Sequence, residues 1–338
     1  MTITIHDVAM EAGVSIATVS RVINNNYPVK DETRKKVERA VEKLGYIPNE
    51  IARSLSSKST SSIAIVVPGI NNPFFSTIVE EINRVLIEKE FTVSFYSTEG
   101  DPLIEKSVIE SIISRNMAGI VAIDPSAENL ENHYFQSLFS NTPTIIINGN
   151  STKYGSNFVS YNEGAGARQA FEYLLDLGHK KISFIRGDKS LSYDIKEAAY
   201  RDFIKEKGLS FENVVFVGKG NNLEVVEKAE KIIGALLKAD KVGTALFACN
   251  DLMAVGVLKA CNKVGIRVPE DLSLIGFDNT LLSSITHPKI TTVDLKMKKL
   301  GHAVALELDQ MIKKRYLKTE KIVYDTQLIL RESCMKIN

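Results

Sequence analysis

The chain has 338 residues, enough for more than one hydrophobic core, and its 44% apolar and 25% charged content is that of an ordinary globular protein rather than a disordered or fibrous one. The net charge of +1 excludes nucleic-acid binding by bulk charge: residues 1–60 hold nine Lys/Arg and seven Asp/Glu, and the rest hold 33 and 34. Cys249, Cys261 and Cys334 show no CxxC spacing, His6, Asp7 and Glu11 interrupt any apolar signal core, and no apolar run is long enough to span a membrane, so the expectation is a cytoplasmic chain without structural disulfides.

From Thr4 to Asn24 the sequence TIHDVAMEAGVSIATVSRVIN reads as two short helices and a turn. Thr4 stands as an N-cap with Asp7 in the capping-box position, and Ile5, Val8 and Ala9 fall at helical spacing. Gly13 ends the first helix because glycine enters the left-handed region cheaply. Ser15 caps the second helix, whose inner stripe is Val19, Val22 and Ile23, leaving Ile16, Ala17, Thr18 and Arg21 on the opposite face. This is the pattern of a helix-turn-helix whose second helix enters the DNA major groove. Two amphipathic helices that merely pack together would share the spacing.

The residues themselves are more specific. DVAMEAGVSIATVSRVIN follows the pattern DVA-x-x-AGVS-x-x-TVSRV-x-N throughout and resembles the N-terminal motif of the LacI/GalR family of bacterial transcription regulators. The resemblance implies DNA contacts from Thr4, His6, Ser15, Ile16, Ala17, Thr18, Arg21 and Asn24. Arg21 would meet either a guanine edge or a phosphate.

A third helix is expected over Asp31–Leu44, with Val37, Ala40, Val41 and Leu44 buried and Gly45 as its end. Arg34, Lys35, Lys36 and Arg39 are available to phosphates or simply solvated. Next come Pro48-Asn49, a short apolar set at Ile51, Ala52 and Leu55, and a Ser/Thr/Lys tether from Ser56 to Ser62. By composition this is a marginal helix. By resemblance it is the family's hinge helix, with Asn49, Ala52, Arg53 and Leu55 on DNA and Leu55 wedging into the minor groove. A helix this short is unstable alone, so it should fold only on the operator.

Beyond Ser62, apolar runs alternate with helical patterns. The runs are SIAIVVP, FTVSFY, GIVAI, PTIIIN, FVSY, KISFIR, VVFVG, TALFAC, LSLIGF and ITTV. Helices are expected over 74–89, 102–116, 130–139, 164–177, 195–207, 223–237, 251–264 and 297–314. This alternation predicts an α/β chain with two doubly wound lobes whose ligands sit at the carboxyl ends of strands. The resemblance implies a periplasmic-binding-protein-like core with three crossovers and an effector in its cleft. The expected domains are a helix-turn-helix head (1–46), hinge and linker (47–61) and core (62–338). The N-lobe would take about 62–160 and 294–321, the C-lobe about 161–291 and 322–338.

Short carboxylates and amides at strand ends suit a polyol. Asn71 and Asn72 end the first strand, and Phe74 or Phe75 could stack on a sugar ring. Asp124, Asn148, Asn250 and Asp278 end later strands, although Asn250 could equally be a helix cap. The resemblance implies ligand contact for Asn148, Asn250 and Asp278. Two departures from the family stand out. Asp194 falls where many members carry an arginine, with a one-residue gap in the alignment, and Arg186 or Lys196 could substitute. Gly220 falls where many stack an aromatic residue, so a roomier cleft is expected there. Loss of the arginine argues for a neutral sugar.

The expected function is therefore a homodimeric repressor that binds a palindromic double-stranded operator and is controlled by a small sugar-like effector, with no cofactor, no metal and no membrane partner. A catabolite control protein using a phosphorylated carrier protein is the alternative, but GHAVALELDQ offers His302 and Leu306 and no arginine in the matching place. An α/β enzyme is a distant second: GAGAR at 164–168 lacks the third glycine of a dinucleotide fingerprint, and no GxxxxGK[ST], GxSxG or HExxH occurs. A transport-type binding protein is opposed by the head. With no heptad tail, a dimer is the simpler expectation over a tetramer.

Overall fold

The computed structural model describes residues 3–24, 27–46, 61–147, 157–188 and 190–337. It separates into two compact units, 1–60 and 61–338.

The first unit holds α1 (Ile5–Ala12), α2 (Ile16–Asn24) and α3 (Asp31–Leu44). The Asp7 carboxylate accepts from both the backbone N–H and the hydroxyl of Thr4, at 2.8 and 2.7 Å, and these bonds hold its pKa below the ordinary value. Gly13 ends α1 at φ 64°. Ser15 Oγ accepts from the Thr18 N–H at 3.2 Å and starts α2. Val8, Ala9, Ala12, Val19, Val22, Val37 and Ala40 form one small core, and Lys43 reaches Glu11 at 2.7 Å to tie α3 to α1.

The second unit contains two six-stranded sheets. The first has the order β11-β5-β4-β3-β1-β2, from β1 (Ser62–Val67), β2 (Thr92–Ser97), β3 (Gly119–Ile123), β4 (Thr144–Ile147), β5 (Phe158–Tyr161) and β11 (Ile322–Tyr324), all parallel. The second has the order β12-β10-β9-β8-β6-β7, from β6 (Ile182–Arg186), β7 (Asn213–Phe216), β8 (Ala245–Ala248), β9 (Ser273–Asp278), β10 (Thr291–Asp294) and β12 (Gln327–Ile329). Only β12 runs antiparallel, against β10. Central strands such as β3, β8 and β9 are buried throughout, whereas the edge strands β2 and β7 keep exposed positions. That is why the central strands are continuous apolar runs.

Three differences from expectation concern the chain path. The short β11 and β12 were not anticipated. Because β11 pairs with β5, residues 322–324 lie in the first lobe rather than the second, and the last crossover falls after Tyr324. Tyr161 ends a strand of the first sheet and Asp294 one of the second, so the first lobe gains 161 and loses 294, and the second lobe runs on from 291 to 294. The single helix expected over 130–139 is two short ones, Ala127–Glu131 and Tyr134–Leu138, broken where His133 turns left-handed at φ 56°.

The helix following β6 starts at Leu191, four residues earlier than expected, and runs to Glu206. Helices Asp251–Val264 and Met297–Lys314 occupy their expected ranges, and the latter packs on Pro73–Glu88 of the first lobe. Short polar caps fix the helix starts beside the strand ends: Asn72 Oδ1 accepts from Phe74 N–H at 3.0 Å, and Asn162 Oδ1 from Ala165 N–H at 3.2 Å. Cys249, Cys261 and Cys334 are free thiols. Among the described residues no helix is long and apolar enough to cross a membrane.

Candidate functional site

On the head, Thr4, His6, Ser15, Ile16, Ala17 and Arg21 are exposed and Thr18 is half-buried. The Thr18 hydroxyl lies 2.9 Å from that of Ser15, so the two side chains hold each other at the start of α2. The Arg21 guanidinium sits over the ring of Tyr27, 5.4 Å from its centre, and Tyr27 is itself 65% exposed. Tyr27 was not singled out in the sequence; its signal is its place just past the C-terminus of α2. The Asn24 side chain and Asn49, Ala52, Arg53 and Leu55 lie outside the described residues.

In the second unit the carboxyl ends of both sheets face one another. A cavity of about 20 Å³ lies between them, lined by residues of both lobes including Asn72, Phe74, Asp124, Tyr161, Glu163 and Asp278. That is room for about one water in this conformation. Asp124 follows β3 at φ 47°, Asp278 ends β9 at φ 106°, and Phe74 packs edge-on against Phe75 and Tyr161 with centroids 5.0 and 5.9 Å away. Asn148 lies outside the described residues.

The early start of the Leu191–Glu206 helix sets the second lobe's contribution. Tyr193 and Lys196, three residues apart, share the face turned to the cavity. Lys196 is 1% exposed, donates to the Cys249 carbonyl at 3.1 Å, pairs with Glu163 at 3.5 Å and lies 4.0 Å from the centre of the Phe277 ring. Burial works against its charge, but Glu163 and the neighbouring acids outweigh this and raise its pKa. Glu163 Oε1 also accepts from Ser192 at 2.7 Å. Burial, then Glu163, pushes Asp124 up to about 7, and burial raises Asp278 well above the usual carboxylate range despite Lys196.

Several expected residues take other positions. Asn71 is exposed and does not line the cavity; Asn72, the helix cap, does. Asp194 has a 59% exposed side chain and pairs with Arg186 at 2.6 Å. Arg186 also bonds Glu197 and the Gly187 carbonyl, and neither Arg186 nor Asp194 lines the cavity. Among the described residues the basic group in the cleft is Lys196. Asn250 lines the cavity but is used internally: Oδ1 caps the Asp251–Val264 helix through Met253 N–H, and Nδ2 donates to Tyr193 Oη and the Gly220 carbonyl. Asp251 is spent on Thr280 and Thr292.

The cleft is not roomier beside Gly220. A Cβ there would stand 2.4 Å from Tyr193 Oη, and one on Gly187 2.7 Å from Tyr193 Cε2. The tyrosine ring occupies the space both glycines leave, and its hydroxyl donates to Asn221 at 2.7 Å. Sequence reading missed Tyr161, Glu163, Ser192, Tyr193 and Asn221. The available signals were the acid opening a helix just after β5 and a tyrosine one turn before Lys196.

Comparison with known proteins agrees with both units. Residues 4–49 match the model of bacterial regulatory proteins of the lacI family, and residues 171–334 match that of a periplasmic binding protein-like domain. The chain is 33% identical to catabolite control protein A of Priestia megaterium, over 91% of this chain and 92% of the relative. It is 32% identical to the HTH-type transcriptional regulator DegA of Bacillus subtilis (strain 168), over 100% of both. The fold is similar to that of the lac repressor dimer bound to operator and the anti-inducer ONPF, with a TM-score of 0.87 and 24% identity over 99% of this chain and 100% of that one.

Proposed function

The chain belongs to the LacI family of bacterial regulatory proteins, and from that premise we propose that it is a transcriptional repressor that binds a palindromic operator as a homodimer and responds to a small sugar-like effector. The observation that carries the reading is α2 itself: the family motif lies on a capped helix whose Ser15, Ile16, Ala17 and Arg21 side chains are exposed while Val19 and Val22 anchor it to α1 and α3. A helix so held presents its N-terminal residues to base edges in the major groove. Thr4, His6 and Asn24 complete the contacts from the head. Asn49, Ala52, Arg53 and Leu55 form the hinge contacts, with Leu55 as the minor-groove wedge.

The effector site is the cleft between the lobes. Phe74 supplies a ring face, Asp124 and Asp278 the acceptors and Lys196 a donor. Asn148 belongs to the same site by resemblance. Effector binding shifts the lobes and so biases the hinge between folded and unfolded, which couples the two sites. The protein acts by binding rather than catalysis, in the cytoplasm. The reading as a catabolite control protein is not favoured: in the segment in question His302 faces Glu81 at 3.3 Å, and Leu306 is exposed.

Selection of bound duplexes from a random library by the purified full chain tests the proposal. A palindrome with a central C-G step should be enriched. Arg21→Ala should then weaken binding to that sequence by about 30-fold or more, since each head loses about 1 kcal/mol or more. Unchanged operator affinity in this variant would sink the assignment.

A further inference from the structure

We propose that the cleft takes a small hydroxylated ammonium compound, an amino sugar or an amine-bearing polyol, in preference to a neutral sugar or a sugar phosphate. This rests on the reading of the cleft as the effector site.

The argument is one of charge. Three carboxylates, Asp124, Glu163 and Asp278, line the cavity, and among the described residues Lys196 is the only cation there. Lys196 is already matched: Glu163 pairs with it, and its head also serves the Cys249 carbonyl. Arg186, the other buried Lys or Arg of this lobe among the described residues, is taken by Asp194 and Glu197 outside the cavity. Among the described residues Asp124 and Asp278 form no ion pair of their own, and the field of Lys196 does not outweigh their burial. Asp251, 1% exposed behind them, adds to the same negative field and raises the pKa of Asp278. A second observation concerns a residue that lines the same cavity. Glu163 is 3% exposed, and its Oε2 has no hydrogen-bond partner among the described residues.

Buried acceptors of this kind need donors, and buried like charges need a counter-charge. Hydroxyls supply donors only; an ammonium group supplies both. The walls favour the same chemistry. Phe74, Tyr161 and Tyr193 turn aromatic rings to the cavity, and such rings attract a cation as well as the C–H face of a sugar. A phosphate would meet the uncompensated carboxylates and be repelled. The 20 Å³ enclosed here is smaller than any such ligand, so the lobes must part to admit it.

The test uses the full chain, with calorimetry and thermal melting at pH 7. The probes are D-glucosamine, D-galactosamine and D-mannosamine, each against its neutral hexose and its N-acetyl form, with glucosamine 6-phosphate as the anionic control. At least one amine should bind about 30-fold more tightly than its neutral and acetylated counterparts, the size expected for a buried charge pair. Asp278→Asn should erase that preference, because the carboxyl that answers the ammonium group is removed. Asp124→Asn is the second variant and should act in the same direction. Equal binding of a neutral hexose, preference for the phosphate, or no response to any amine would overturn the proposal. Operator selection on the same preparation separates the two readings. An enriched palindrome with no amine preference removes only the ligand class, whereas no palindrome with or without sugars removes the regulator.

Discussion

In the head, Ile16, Ala17 and Arg21, among the residues proposed to meet DNA, stand on one nine-residue helix and reach solvent. In the core, Asp124, Glu163, Lys196 and Asp278 converge from both lobes, each at or beyond a different strand; Asp124 is half-buried and the other three are buried. The first arrangement puts polar groups where water already satisfies them, so it costs little and can be copied as a short motif. The second gathers three acids, two of them buried, around the one lysine that the described residues place there, so each charge depends on neighbours far away in sequence. Changes in the head should thus alter binding and leave stability nearly alone, whereas changes in the cleft should alter both.

Lys196→Met should break the core most severely. It leaves Glu163 facing Asp124 and Asp278 with no cation, and the expected loss is about 3–5 kcal/mol at neutral pH. Urea unfolding of the full chain, followed by the core transition, measures it. Adding Glu163→Gln should restore part of the loss. If Lys196→Met alone costs no more than a surface substitution, the contrast with the head fails.

The pH dependence sharpens the same point. The folded pKa of Asp124, about 7, lies above its ordinary value of 3.8. The folded chain therefore holds a proton that the unfolded chain releases. This contribution to stability is fully present below about pH 4 and is lost as the pH rises through about 7. Asp124→Asn should melt a few degrees above the parent at pH 7.5, with a smaller gap at pH 5. A gap that does not change with pH would show that Asp124 is an ordinary exposed acid.

The smallest effect is expected in the head. Tyr27→Ala frees the Arg21 guanidinium from its ring, and operator affinity should fall about two- to fivefold, with no change in the core's melting. Loss of head folding would mean that Tyr27 is structural and that the head is less separable than the comparison holds.

The head was legible because its signals are local. Gly13 and Gly45 end their helices left-handed, Ser15 caps α2, and Val8 and Ala12, Val19 and Val22, and Val37 and Ala40 fall at helical spacing on their own helices. Each is decided within one or two turns of chain. The ten strands and the major helices of the core were legible for the same reason, since buried parallel strands are continuous apolar runs. The three-residue strands β11 and β12 were not. Neither is long enough to show a period, and each is a strand only because a sheet edge receives it.

Of the cleft, the sequence by itself determined that Asp124 and Asp278 would stand at strand ends and Phe74 at the start of the helix after β1. Only the tertiary structure decided which basic group faces them. Arg186 looked as able as Lys196, but Asp194 and Glu197 hold it outside, while the early start of the Leu191–Glu206 helix turns Lys196 and Tyr193 inward. The space at Gly220 likewise looked open until Tyr193 was seen to fill it. The physical reason is common to both. A side chain's direction on a helix follows from the residue at which the helix begins, and charge pairing follows from distances across two sheets. Neither quantity is written in any short stretch of the chain.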